Sequence, residues 1–238
     1  MNEANPIVYL KDYQPPQFLI KSVHLTFKLS PKNTRVIAKI LFAPQKTNCE
    51  LALDGIDLKI KKASINGTPI GLNSLIFKKE GLIVPKSLIP KNDFFWEAET
   101  YISPAVNTSL DGLYKSAGTY CTQCEAQGFR SICYHPDRPD VLSKYKVRLE
   151  ADRDFYPILL SNGNKKYSGN LKADNDRHEI LWEDPFPKPC YLFALVAGNL
   201  NLVPDRYITN TGRLVDIKIY VEDGDEKYTQ HAITSLKK

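Results

Sequence analysis

Two neighbouring stretches decide the fold: Val23-His24-Leu25-Thr26-Phe27-Lys28-Leu29 and Val36-Ile37-Ala38-Lys39-Ile40-Leu41-Phe42. In an extended chain, side chains alternate between two faces. Val23, Leu25, Phe27 and Leu29 therefore share one face, and His24, Thr26 and Lys28 share the other. Val36, Ala38, Ile40 and Phe42 repeat the pattern after a turn at Pro31-Lys32-Asn33. Apolar residues at a period of two mark half-buried strands. Further strand candidates are residues 51–53, 58–65, 75–77, 94–102, 145–151, 178–182 and 191–197. Turn signals separate them at Asp54-Gly55, Asn66-Gly67, Glu80-Gly81, Asn162-Gly163 and the prolines Pro185, Pro187 and Pro189. Many short strands with regular breaks predict a mainly β protein, an antiparallel, saddle-shaped β-sandwich. No internal repeat or low-complexity stretch interrupts this pattern.

After Gly198 the texture changes. Residues 202–209 and 214–221 read as a hairpin around Asn210-Thr211-Gly212. A helix is expected from Glu226 to Lys238, with Asp225 as its N-cap and Tyr228, Ala232, Ile233 and Leu236 on one face. Residues 1–199 are thus expected to form one β domain. Residues 200–238 are expected to begin a second, truncated one.

The chain has 238 residues, of which 42% are apolar and 25% charged, which is enough for a core without disulfide or metal staples. The net charge of +5 is dispersed in short pairs such as Lys61-Lys62, Lys78-Lys79 and Lys165-Lys166. A nucleic-acid binder would cluster its basic residues on one face, so no nucleic-acid partner is expected. Met1 to Pro6 lacks the basic and apolar regions of a signal peptide. The longest apolar run, residues 190–197, is far short of the ~20 residues that span a bilayer, so no membrane partner is expected either. Five cysteines, an odd number, without an export signal, point to reduced thiols and a cytoplasmic location.

The densest chemical cluster lies between Cys121 and Pro139. Cys121, Cys124, Cys133 and His135 offer three thiols and an imidazole, the usual ligand types of a structural zinc site. The cluster has no second Cys-x-x-Cys, and its spacing is short for a zinc ribbon. A redox role for Cys121 and Cys124 would need a strand before the pair and a helix after it, in a parallel-sheet setting. The third reading is that these cysteines are small packing residues. His178-Glu179-Ile180-Leu181-Trp182 misses the His-Glu-x-x-His pattern, because Trp182 stands where the second imidazole belongs. There is no Gly-x-Ser-x-Gly elbow and no phosphate-binding glycine loop. No complete catalytic site is legible.

Gln123-Cys124-Glu125-Ala126, Arg130 and Pro136-Asp137-Arg138-Pro139, followed by a strand, resemble the aminopeptidase N family of zinc metallopeptidases, most of all its bacterial cytosolic branch. Three longer segments agree in order: residues 51–57, 160–164 and 184–198. Asn107 to Tyr114 fits the strip before the cluster. The resemblance implies an N-terminal β-sandwich that covers the active site of a downstream thermolysin-like catalytic domain, with a boundary near Asn199. It also implies peptide substrates with a free N-terminus. Gln123 and Glu125 match the positions that the family's first domain contributes to the substrate pocket, the glutamate helping to hold the α-amino group. The family's Gly-x-Met-Glu-Asn segment, its His-Glu-x-x-His helix, its distal glutamate ligand and its tyrosine are absent here. Zinc is therefore expected in the parent protein and not in this chain, which is expected to be inactive alone. The alternatives are a stand-alone β-sandwich that binds peptides or proteins, and a small structural zinc domain on Cys121, Cys124, Cys133 and His135.

Overall fold

A computed structural model describes residues 9–171 and 174–238, with Asn175 described through its backbone. The strands in chain order are β1 (Phe18–Lys28), β2 (Thr34–Pro44), β3 (Leu51–Asp54), β4 (Lys59–Ile65), β5 (Thr68–Ile70), β6 (Ile76–Lys78), β7 (Gly81–Val84) and β8 (Phe94–Ile102). They continue with β9 (Gly112–Ser116), β10 (Thr119–Gln123), β11 (Leu142–Asp152), β12 (Ile158–Ser161), β13 (Asn164–Leu171), β14 (Asp174–Pro189), β15 (Leu195–Gly198), β16 (Asn201–Ile208) and β17 (Leu214–Val221). One α-helix, α1 (Gln230–Leu236), follows.

An eight-stranded sheet runs β13-β14-β11-β1-β2-β8-β4-β5. A four-stranded sheet, β12-β15-β10-β9, and a three-stranded sheet, β3-β7-β6, accompany it. The β16–β17 hairpin forms a two-stranded sheet of its own. The pairings are antiparallel except that β1 lies parallel to β11, Ser22 beside Lys144 through Lys28 beside Glu150.

The inward face of the large sheet carries the residues that the alternation selects. Val23, Leu25, Phe27, Val36, Ala38, Ile40, Phe42, Phe94, Trp96 and Ala98 are buried. They join Leu51, Leu53, Leu82, Tyr120, Leu195 and Ala197 of the smaller sheets in one core. Phe27 stacks on Phe193 at 5.9 Å, and Phe193 meets Phe129 edge-on at 5.3 Å. The outward face is a charge ladder. Lys39 meets Glu97 at 3.1 Å and Lys146 meets Glu183 at 3.2 Å. Exposed pairs contribute about 0.2–1 kcal/mol each, whereas a fully buried Leu or Phe contributes about 1.5–3 kcal/mol. The core face therefore holds the sheet, and the charged face keeps it wet.

Three local expectations change. Residues 185–189 do not end a strand: β14 runs through them. Leu142 pairs with Pro189 and Ser143 with Lys188, and the register then jumps to Tyr145 with Asp184. The prolines Pro185 and Pro187 thus sit in a bulge, where no ladder bond is asked of them, and Phe186 between them is 75% exposed. Residues 191–197 are not one strand, because a 3-10 turn, Cys190–Leu192, precedes β15. Near the C-terminus, Asp225 makes no side-chain cap; a 3-10 turn, Glu226–Tyr228, comes before α1. Of Tyr228, Ala232, Ile233 and Leu236, only Ile233 is buried.

Candidate functional site

The region around Gln123 and Glu125 is built from the end of β10. The β9–β10 hairpin turns at Ala117 and Gly118, both with positive φ (46° and 90°), which sets a two-residue primed turn. Strand alternation then sends Tyr120 into the core and leaves Gln123 exposed, opposite Gly112. Cys124 turns inward and Glu125 outward. The Gln123 side chain folds onto the next turn: its Nε2 donates to the Glu125 carbonyl oxygen at 2.7 Å. The two residues named from the sequence are therefore neighbours on one exposed loop.

The loop closes tightly. Gly128 N–H donates to the Cys124 carbonyl at 3.0 Å. A Cβ at Gly128 would lie 2.3 Å from the Gln123 carbonyl oxygen and 3.0 Å from the Gly112 nitrogen. Only glycine permits that approach. A cis peptide bond joins Ala126 to Gln127.

Beneath the loop lies a buried polar network. Arg130 donates through its backbone N–H and through Nε to Asp137 Oδ2, both at 3.1 Å. Asp137 is 3% exposed. Its N–H donates to Asp54 Oδ2 at 2.8 Å, and Cys190 Sγ donates to its Oδ1 at 3.1 Å. Asp54 and His135 exchange two backbone hydrogen bonds at 3.0 and 3.1 Å. The simplest internal role for Glu125, a partner for Arg130, is thereby excluded: the Arg130 guanidinium faces Asp137 and, at 3.9 Å, Asp54. Among the described residues no ion pair involves Glu125. In the sequence Asp137 carries no role of its own and Asp54 reads only as part of a turn. Asp137 is a buried charge that needs a partner, but nothing in the spacing says that Arg130 supplies it.

The zinc reading of this cluster is corrected. Among the described residues no group of three or more His, Cys, Asp or Glu could hold a metal ion. Cys124 and Cys133 are buried, and burial, with nearby acidic groups, raises both thiols, Cys124 to about 12. Zinc takes thiolates, which such a site disfavours. The His135 Nδ1–H donates to the Pro136 carbonyl at 2.9 Å, and its ring packs edge-on against Phe129 at 4.9 Å. The residues present do not fit a zinc ion. A redox pair fails as well, because β10 is followed by a loop and one 3-10 turn, Phe129–Ser131, and not by a helix. Cys124, Cys133 and Cys190 are buried packing residues. His178 lies on β14, where its Nε2–H donates to the Tyr156 carbonyl at 2.8 Å, and Trp182 Nε1 donates to the Leu159 carbonyl at 3.2 Å.

The loop is not a closed pocket. A cleft of about 340 Å³ lies nearby, among Ile56, Tyr101, Asn107, Ser109, Leu113 and Ser131, and neither Gln123 nor Glu125 lines it. No helix is long and apolar enough to cross a membrane among the described residues.

The stacked β fold thus presents Gln123 and Glu125 on an exposed loop above the Arg130–Asp137 pair. Residues 12–192 match the model of the Peptidase M1 N-terminal domain, and the chain belongs to that family. Its relatives include the Aminopeptidase N of Haemophilus influenzae, 44% identical over 97% of this chain, and that of Caulobacter vibrioides, 45% identical over 97%. Among solved structures, Legionella pneumophila aminopeptidase A in complex with aspartic acid superposes with a TM-score of 0.88 at 33% identity, over 96% of this chain and 27% of the other. The chain spans about a quarter of the length of these curated relatives, 26% in each case.

Proposed function

We propose that this chain is the N-terminal β domain of a zinc-dependent aminopeptidase, and that Gln123 and Glu125 form one wall of the pocket that receives the free N-terminus of a peptide. The observation that carries this is an exposed carboxylate on a braced loop, with no internal cation, in a chain of the M1 family. A carboxylate binds an ammonium through charge-assisted hydrogen bonds, about 1.5–3 kcal/mol each when desolvated. A fully solvated pair is worth little. The loop therefore needs a cover to become a strong ammonium site, and a catalytic domain that follows in the chain is the partner that supplies one. An internal peptide nitrogen carries no charge and cannot replace the ammonium, so such a site selects chain ends.

On this reading, residues 1–199 form the sandwich, residues 200–238 start the catalytic domain, and zinc is held outside these 238 residues. The protein works in the cytoplasm. The test compares two proteins. The full-length gene product should release free amino acids from a peptide with a free N-terminus, and the 238-residue chain alone should release none, with or without added zinc. Zinc-dependent release by the chain alone would overturn this reading.

A further inference from the structure

We propose that Asp137 is a positioning residue for Glu125: it braces the loop and holds the Arg130 guanidinium away from the carboxylate that receives the substrate. The inference rests on the role proposed above for Glu125.

Asp137 touches the loop twice. Oδ2 accepts from both the backbone and the side chain of Arg130, and its carbonyl oxygen accepts from Arg130 Nη2 at 3.4 Å and from Gln127 Nε2 at 3.5 Å. Gln127 is two residues from Glu125. Asp137 is tied in turn to two other parts of the fold, to Asp54 at the end of β3 and to Cys190 at the end of β14. The loop is therefore anchored at one end by the β10 ladder and at the other by Asp137.

Stability gives weak grounds for this arrangement. A buried ion pair costs desolvation, and well-packed apolar residues in its place are often no less stable. What the pair does supply is direction, since a planar guanidinium and a carboxylate fix each other's orientation. It also occupies a cation five residues from Glu125. With Asp137 neutral, Arg130 loses its principal charge partner and becomes a competitor for the carboxylate that the substrate ammonium needs.

The test is a double-mutant cycle in the full-length protein, with kcat and KM measured on an aminoacyl p-nitroanilide. Asp137→Asn should raise KM about fivefold or more while kcat changes less than about twofold, the signature of lost ground-state binding. In a Glu125→Ala background the same substitution should change kcat/KM by less than about twofold, because residues acting through one another are not additive. Equal losses in the two backgrounds would overturn the inference, since a purely structural role is additive. If Asp137→Asn has no effect while Glu125→Ala lowers kcat/KM, this inference fails and the role of Glu125 stands. If Glu125→Ala has no effect, both fail. Should Asp137→Asn not fold, Arg130→Lys carries the same cycle, as it keeps the cation and loses the Nε contact.

Discussion

His135 sits under the candidate loop with no exposed surface, and burial brings its imidazole down to about 4. The folded protein therefore keeps it neutral at a pH where the unfolded chain, with an imidazole near 6.5, takes up a proton. Between about pH 6.5 and pH 4 the unfolded state binds more protons, so stability falls as pH falls. From pH 7 to pH 5 the loss from this residue is about 2 kcal/mol, at 1.36 kcal/mol per pH unit below 6.5. Urea midpoints at the two pH values measure it. His135→Gln should remove most of the difference, and an undiminished difference in the variant would assign the acid sensitivity to other groups. At this scale the sequence shows which residues are chemically active but not what they face. Cys121, Cys124, Cys133 and His135 crowd into fifteen residues, yet among the described residues they form no group that could hold a metal ion. Arg130 and Asp137 pair across seven residues of irregular loop, where no periodicity applies.

The elements were legible where alternation was unbroken. Residues 94–102 alternate without a slip, and β8 is the strand read there. β1 is longer than its reading because its phase changes. Phe18 and Ile20 are buried, as are Val23, Leu25 and Phe27, so the inward set shifts from even to odd numbers. The register jump between Ile20 and Ser22 against β2 is the cause: a bulge at Lys21 adds one residue and flips the faces. β13 was missed for the opposite reason. It is an edge strand, exposed along most of its length, and carries no apolar period. The two strands should respond differently to proline. Leu25 lies in β1, which is paired on both sides, and Leu25→Pro should cost, in urea unfolding of the chain, at least as much as deleting a buried leucine, about 2–5 kcal/mol, with a ladder hydrogen bond lost besides. Lys166 sits at the register jump of β13, and Lys166→Pro should cost less than about 1 kcal/mol. Similar losses at the two positions would mean that sheet position does not govern the response.

Across the whole molecule, three sheets share one core, and the β16–β17 hairpin stands outside their ladders. The mainly β, antiparallel class was visible in the sequence, as was the hairpin that pairs β16 with β17. The packing of α1 was less visible. Its predicted apolar face buries one residue, and Lys237 instead pairs with Asp205 of β16 at 2.7 Å. The candidate site, as proposed, is one wall: Gln123 and Glu125 lie on an exposed loop and line no described pocket. The central claim is that Glu125 receives the substrate ammonium, and kcat/KM of full-length Glu125→Ala on a peptide with a free N-terminus tests it most directly. A fall of about 10–100-fold is predicted, at about 1.36 kcal/mol per decade, and an unchanged kcat/KM would remove Glu125 from the pocket.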